Sequence, residues 1–226
     1  MVKYICSKNG DGGIRIMSEK KQCNYWMEIF ANFRKGTVLN EIIKAEEPFV
    51  KQPYWISPIY ADGCRLYHTF EINGITNGEN FPFKGEGPLW DGVCKDDASR
   101  KYLFIRMVDS PEDLKGSCPE DLSEEAREGL KQAHKMLNLN SDIDSWFNEY
   151  YPVAKELSYA ALLSDPFGRY LDRGYRCELI ILNLIGNYRN VETTKEEWDA
   201  FYKEMTAKMF GDRGMPFFVF SINFEV

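Results

Sequence analysis

The sequence predicts an α+β fold in which helices pack on a mixed or antiparallel β-sheet. Three observations support this class. Stretches with alternating apolar side chains occur in several parts of the chain, a long helical pattern fills residues 110–172, and the last third alternates strand, helix and strand. We expect one domain over residues 1–226, with residues 110–172 as a helical layer, an insertion or a subdomain.

The chain begins with a predicted β-hairpin. Residues 2–6 and 13–17 are rich in residues that favour strands, and the Asn-Gly and Asp-Gly pairs between them favour a tight turn. An EF-hand calcium loop aligned on this stretch would require a bidentate Glu at its twelfth position, where this chain has Ser18. We therefore predict a turn rather than a calcium site.

A helix, a strand and two proline-rich segments follow. Residues 18–36 show the apolar spacing of a helix. Residues 48–60 and 79–92 combine prolines with aromatic side chains, and we predict extended loops or an edge strand there because proline cannot donate to a β-ladder. Residues 64–72 alternate as a strand, with His68 on its apolar face.

The middle of the chain predicts a strand, a group of helices and a second strand. Residues 101–108 alternate as a strand, Ser123 caps a helix that extends to Leu137, and residues 141–165 contain one or two more helices. Residues 176–185 predict a second strand, which is apolar on both faces from Leu179, as expected of a strand that is covered on both sides.

The end of the chain predicts a β-α-β unit. Thr194 and Glu197 form a capping box for a helix that ends at Gly211, and residues 217–226 follow as the last strand. A connection of this length permits parallel pairing of the two flanking strands.

Composition and charge argue against several classes of protein. The chain of 226 residues has a formal net charge of −7, which disfavours nucleic-acid binding because phosphate contacts require a basic face. The most apolar run, Leu179 to Gly186, is far shorter than the ~20 residues that span a bilayer, and residues 1–10 lack the apolar core of a secretory signal. We expect a soluble, cytoplasmic protein with no membrane segment and no cofactor.

The spacing of the cysteines indicates that they are reduced thiols. Six cysteines occur without a Cys-x-x-Cys pair, so neither a disulfide framework nor a zinc site is expected. Asp91, Asp96 and Asp97 flank Cys94 and oppose formation of a thiolate, which argues against Cys94 as a nucleophile. We interpret this acidic stretch as a solvated turn.

The aromatic side chains of the two proline-rich segments are the most unusual feature of the sequence. Aromatic rings among polar neighbours are typical of protein interfaces. We therefore predict a non-enzymatic protein that binds another protein, as an inhibitor or immunity-type partner or as a component of a larger assembly, such as a viral one. The alternative is that the rings fold back and cover the sheet. The predicted partner-binding residues are Tyr54, Trp55, Tyr60, Phe83 and Trp90.

The alternative function is that of an enzyme, such as a hydrolase. The sequence contains no Gly-x-Ser-x-Gly elbow, so this alternative depends on carboxylates that the fold would bring to a histidine. The candidate catalytic residues are His68, Glu71, Asp62, Asp91 and Asp97.

Overall fold

A computed structural model describes residues 40–41, 43–44, 51, 53–57, 81–83, 87–88, 90–164, 171, 174–186 and 191–225, with residues 54–57 described by their backbone. The hairpin, helix and strand predicted over residues 2–36 and 64–72 lie outside these ranges.

Five strands and four α-helices have full bounds within the described residues, and residues 40–41 and 43–44 are also helical. The strands are β1 (Tyr54–Ser57), β2 (Gly92–Asp96), β3 (Lys101–Val108), β4 (Arg176–Ile185) and β5 (Val219–Glu225). The helices are α1 (Glu124–Met136), α2 (Asp144–Asn148), α3 (Tyr151–Leu163) and α4 (Lys195–Phe210), with short 3₁₀ turns at Pro111–Leu114 and Gly211–Arg213.

The strands form one mixed sheet in the order β1-β2-β3-β4-β5. β1, β2 and β3 pair antiparallel, whereas β3, β4 and β5 pair in parallel. Parallel neighbours need a long crossover, and here α1, α2 and α3 connect β3 to β4 while α4 connects β4 to β5. This arrangement confirms the predicted α+β class, and the final β-α-β unit pairs in parallel.

The helices share a hydrophobic cluster with one face of the sheet. Phe104, Leu179 and Ile181 belong to this cluster, together with Tyr159 from α3 and Trp198 from α4. The opposite face forms a second cluster, for which Ile43 and Val191 supply described side chains from outside the strands. β4 contributes buried residues to both clusters, which explains why its sequence is apolar on both faces.

The prediction of a solvated acidic turn around Cys94 was wrong, because residues 92–96 form β2. Val93 and Cys94 are both fully buried, one in each hydrophobic cluster. Asp96 is buried as well, and its carboxylate accepts hydrogen bonds from the backbone N–H groups of Lys51, Ala98 and Ser99 at 2.5, 3.0 and 3.2 Å. These bonds replace water, so the buried carboxylate does not require solvent.

The carboxyl end of α4 is held by the segment that contains α2. Met209 O accepts hydrogen bonds from Ser141 Oγ at 2.5 Å and from Trp146 Nε1 at 3.0 Å, and Lys208 O accepts one from Ser145 Oγ at 3.1 Å. The last carbonyls of a helix have no partner within the helix, so these side chains cap α4 and fix α2 against it.

Candidate binding cleft

The candidate site lies at the edge of the sheet where the parallel strands end, which we call the carboxyl edge. The chain leaves β3 into residues 109–115, and it returns to this edge in residues 191–194 before α4. Thr193 Oγ1 donates to Asp109 O at 2.6 Å, which joins the two loops. Binding sites in sheets of this kind favour the carboxyl ends of parallel strands.

A cleft of about 550 Å³ opens between these two loops and α4. Four carboxylates and one ammonium line it, which gives a local net charge of −4 + 1 = −3. One aromatic ring also contributes to the wall. The residues that carry this charge and the ring are Glu112, Glu192, Glu197, Glu204, Lys115 and Phe201.

Two of the cleft carboxylates are held in the ionised form by contacts at the start of α4 and within it. Glu197 Oε2 accepts from Thr194 N at 2.7 Å and from Thr194 Oγ1 at 3.0 Å, and these bonds lower the pKa of Glu197. Glu204 lies 3.0 Å from Lys208 Nζ, and the hydrogen bond with this ammonium lowers the pKa of Glu204. Both side chains therefore carry full negative charge at neutral pH.

The ammonium group of Lys115 is bound by other residues of the cleft wall. Its ammonium lies 2.8 Å from Glu112 Oε1 and 5.8 Å from the centroid of the Phe201 ring. The hydrogen bond with Glu112 raises the pKa of Lys115, and the charges of Glu112 and Glu204 act in the same direction against an opposing effect of burial. A carboxylate and an aromatic face thus stabilise one ammonium inside the cleft.

Asp91, a candidate of the enzyme hypothesis, belongs to a buried ionic network. Its Oδ2 atom accepts from Met107 N at 2.8 Å and lies 3.5 Å from Arg106 NH1. Arg106 Nε is in turn 3.3 Å from Glu156 Oε1 on α3. Sequence reasoning missed Glu156, and the available signal was a single carboxylate within the mostly apolar run of α3.

Asp97 lies at the opposite end of β2 from Asp91, so the structure does not bring these two candidates together. Six residues of extended chain correspond to roughly 20 Å. Asp97 is exposed, lies 2.6 Å from Lys95 Nζ and accepts from the Tyr175 hydroxyl at 2.6 Å, and these two hydrogen bonds lower the pKa of Asp97. The remaining candidates, His68, Glu71 and Asp62, lie outside the described residues.

The predicted partner-binding residues have different placements. Phe83 and Trp90 are buried in the cluster between helices and sheet, where Trp90 stacks on Phe104 with ring centroids 4.6 Å apart. These two rings cover the sheet, which is the alternative that the sequence left open. The backbone of Tyr54 and Trp55 lies in β1, and Tyr60 lies outside the described residues.

Three potential nucleophiles of the described region are not activated. Ser141 Oγ lies 3.4 Å from His134 Nε2, but its proton is directed to Met209 O at 2.5 Å. Burial raises the pKa of the Cys94 thiol, with Asp96 acting in the same direction, and burial also raises the pKa of the Cys177 thiol. Neither thiol forms a thiolate at neutral pH, which agrees with the prediction for Cys94.

The described residues also bear on metal binding and on membrane insertion. They contain no group of three His, Cys, Asp or Glu side chains placed to hold a metal ion. Within the same part of the chain, no helix has the length and apolar character needed to cross a membrane.

Among curated proteins, the chain is similar to the UPF0301 protein DP2218 of Desulfotalea psychrophila. The two are 32% identical over 107 residues, a match that covers 46% of this chain and 53% of that protein. The chain therefore spans about half the length of this relative. No family model matches the chain. No solved structure matches it either.

Proposed function

We propose that this protein acts by binding a positively charged segment of another protein, and that the carboxyl-edge cleft receives a Lys or Arg side chain of that segment. The observation that supports this function is the cleft itself, with a net charge of −3 and an ammonium of the chain's own Lys115 already held against Glu112 and Phe201.

The physical basis is electrostatic attraction followed by a short-range contact. A net charge of −7 attracts a basic partner over a distance of about one Debye length, which is ~10 Å at 0.1 M salt. Inside the cleft, Glu192 is exposed, so an incoming cation meets a carboxylate without first disrupting the Lys115–Glu112 pair. Glu204 is ionised and would share its charge between this cation and Lys208.

A defined basic probe tests this function even while the partner is unidentified. A fluorescein-labelled octalysine peptide is titrated with the protein by fluorescence anisotropy, and the same peptide with acetylated lysines serves as the uncharged control. We expect the variant Glu192→Gln/Glu204→Gln to bind the basic peptide roughly tenfold more weakly, because each partly exposed ion pair contributes up to about 1 kcal/mol.

A matched variant separates the cleft from the general charge of the protein. Asp199→Asn/Glu120→Gln removes two exposed carboxylates that do not line the cleft, and Asp199 lies on a different face of α4 from Glu204. We expect this control to bind within about twofold of the wild type, since exposed charges that do not line the cleft make no direct ion pair with its occupant. Equal weakening in both variants would show non-specific attraction and would refute the proposal.

The aromatic residues of the first proline-rich segment stay in the proposal as further partner contacts. Tyr54, Trp55 and Tyr60 have the side chains that interfaces favour. Once a partner is identified, its affinity for the Trp55→Ala variant tests these contacts. An affinity equal to that of the wild type would show that Trp55 is not a partner contact. The proposal also assigns the protein to the cytoplasm, where free thiols such as Cys94 and Cys177 persist.

A further inference from the structure

The opposite edge of the parallel strands carries exposed arginines and an exposed phenyl ring. Arg100 directly precedes β3, Arg176 is the first residue of β4, and Phe217 comes two residues before β5. Phe217 is 81% exposed, more than any other large hydrophobic side chain among the described residues. With Tyr175 beside Arg176, these residues form what we call the amino-edge patch (Arg100, Tyr175, Arg176 and Phe217).

Arg100 is held in an unusual conformation beside Tyr175. Its backbone has φ of +56°, which costs energy for a residue with a side chain, and its carbonyl accepts a hydrogen bond from Arg176 N at 3.0 Å. A Cβ atom on Gly174 would lie 3.0 Å from Arg100 NH1, so the glycine leaves room for the guanidinium. The guanidinium carbon lies 5.8 Å from the centroid of the Tyr175 ring.

Among the described residues, the two lysines at this edge are already paired with carboxylates. Lys95 and Lys101 are each 2.6 Å from a carboxylate, of Asp97 and Glu178 respectively. Among the described carboxylates, none lies within ion-pair distance of the exposed Arg100 or Arg176. Arginine, tyrosine and phenylalanine together are typical of the residues that dominate protein interfaces.

The patch and the cleft lie at opposite ends of the same strands. β3 has eight residues, so the two surfaces are roughly 25 Å apart along the strand direction. One surface offers two guanidinium groups and aromatic rings, and the other offers a net charge of −3 in a concave wall. The two surfaces are therefore complementary in charge and cannot meet within one molecule.

We infer that the partner is a second copy of this chain, with the amino-edge patch of one molecule docked in the carboxyl-edge cleft of the next. This inference depends on the proposed function, because it names the cationic partner of the same cleft. The contact is head-to-tail, so it generates a closed ring or an open filament according to the rotation between neighbours. Two chains of net charge −7 also repel each other. High salt therefore weakens both the attraction between patch and cleft and the overall repulsion between the two molecules.

Mixing two single-surface variants tests the inference. The patch variant is Arg100→Gln/Arg176→Gln, and the cleft variant is Glu192→Gln/Glu204→Gln. Sedimentation velocity of the wild-type chain is expected to show oligomers, and each variant alone is expected to be monomeric. An equimolar mixture of the two retains one intact patch and one intact cleft, so we expect a one-to-one dimer that does not grow further.

A control and a fold check complete the design. Lys135→Gln/Lys203→Gln removes two exposed ammonium groups away from the patch and is expected to associate as the wild type does. Circular dichroism and thermal unfolding verify that each variant is folded. A mixture that stays monomeric while the wild type associates would overturn the assigned surfaces.

The outcome for the proposed function is independent. A wild-type chain that remains monomeric would overturn the inference of a second copy. The octalysine titration would still decide whether the cleft binds a cationic segment, so failure of self-association and failure of the proposed function give different results.

Discussion

Arg106 compensates two carboxylates that the fold removes from water. The side chains of Asp91 and Glu156 are 1% and 6% exposed, and that of Arg106 is 14% exposed. Ionised groups in such surroundings are stable only when they are paired and hydrogen-bonded. With one guanidinium between two carboxylates, the network depends on Arg106 more than on either acid.

Replacing Arg106 is therefore expected to cost more than replacing an exposed cation. Arg106→Met leaves two buried carboxylates without this partner, and loss of one partner from a buried ion pair costs about 3–5 kcal/mol. Adding Glu156→Gln is expected to restore part of this loss because one buried charge is removed. Urea unfolding of the two variants measures both effects.

An exposed ion pair supplies the control for Arg106. Lys131 lies 3.4 Å from Glu128 on α1, and both side chains are more than half exposed. Lys131→Met is expected to change the free energy of unfolding by less than about 0.5 kcal/mol. A similarly small loss for Arg106→Met would show that the two carboxylates do not rely on the guanidinium.

At the scale of single residues, the sequence indicated which residues are notable, but it did not indicate their neighbours or their burial in the fold. It singled out Asp91 because acidic residues cluster there, but it could not place Arg106 and Glu156 beside it, since these residues come from β3 and α3. It marked Trp90 as unusual for a loop and left open whether the ring was buried. Burial of these residues depends on contacts between distant segments, which a local pattern does not contain.

Helix α1 contains a glycine that lowers its helix propensity but allows close packing. Gly129 lies inside the helix and is buried, although glycine is about 1 kcal/mol less favourable there than alanine. A Cβ atom at this position would lie 2.7 Å from Pro82 Cβ and 3.2 Å from the Phe83 ring. The absence of a side chain therefore allows the segment that contains Phe83 to pack closely on α1.

Gly129→Ala is expected to have opposite effects in the isolated helix and in the protein. A peptide of residues 120–139 should gain helicity by circular dichroism, because alanine favours the helix. The whole protein should lose stability, by up to about 2 kcal/mol in urea unfolding, because overpacking costs about 1–3 kcal/mol and exceeds the gain in propensity.

The comparison distinguishes packing from propensity. A protein stabilised by Gly129→Ala would show that Pro82 and Phe83 move aside at little cost. The bulkier Gly129→Val should destabilise further, since its branches extend the same contact.

Elements with strong local patterns were predictable, whereas those defined by their neighbours were not. The strand at 101–108 and the helix between Thr194 and Gly211 match closely because alternation and capping are local signals. β2 was missed because the five residues from Gly92 to Asp96 show little alternation of apolar and polar side chains. Its pairing with β3 places it in the sheet. The cleft could not be predicted, because it forms where two loops and α4 meet.

For the whole molecule, β4 is the element on which both proposed surfaces depend. It pairs with β3 on one side and β5 on the other, and its residues from Cys177 to Leu184 are buried. The patch lies at its first residue, Arg176, and the cleft lies beyond its last. A rigid β4 would keep these two surfaces at a fixed separation, which a regular head-to-tail assembly requires.

Native-state hydrogen exchange measures this rigidity. The amides of Ile180 to Leu184 are expected to exchange only when the whole molecule unfolds, so their exchange free energy should equal that from urea unfolding. Tyr54 to Ser57 form β1 at one end of the described sheet, with a register irregularity, and should exchange through local opening at a lower free energy. If the β4 amides exchange as easily as those of β1, the sheet opens between the two surfaces. The separation between patch and cleft would then vary from molecule to molecule, and an extended regular assembly would not be possible even with both surfaces intact.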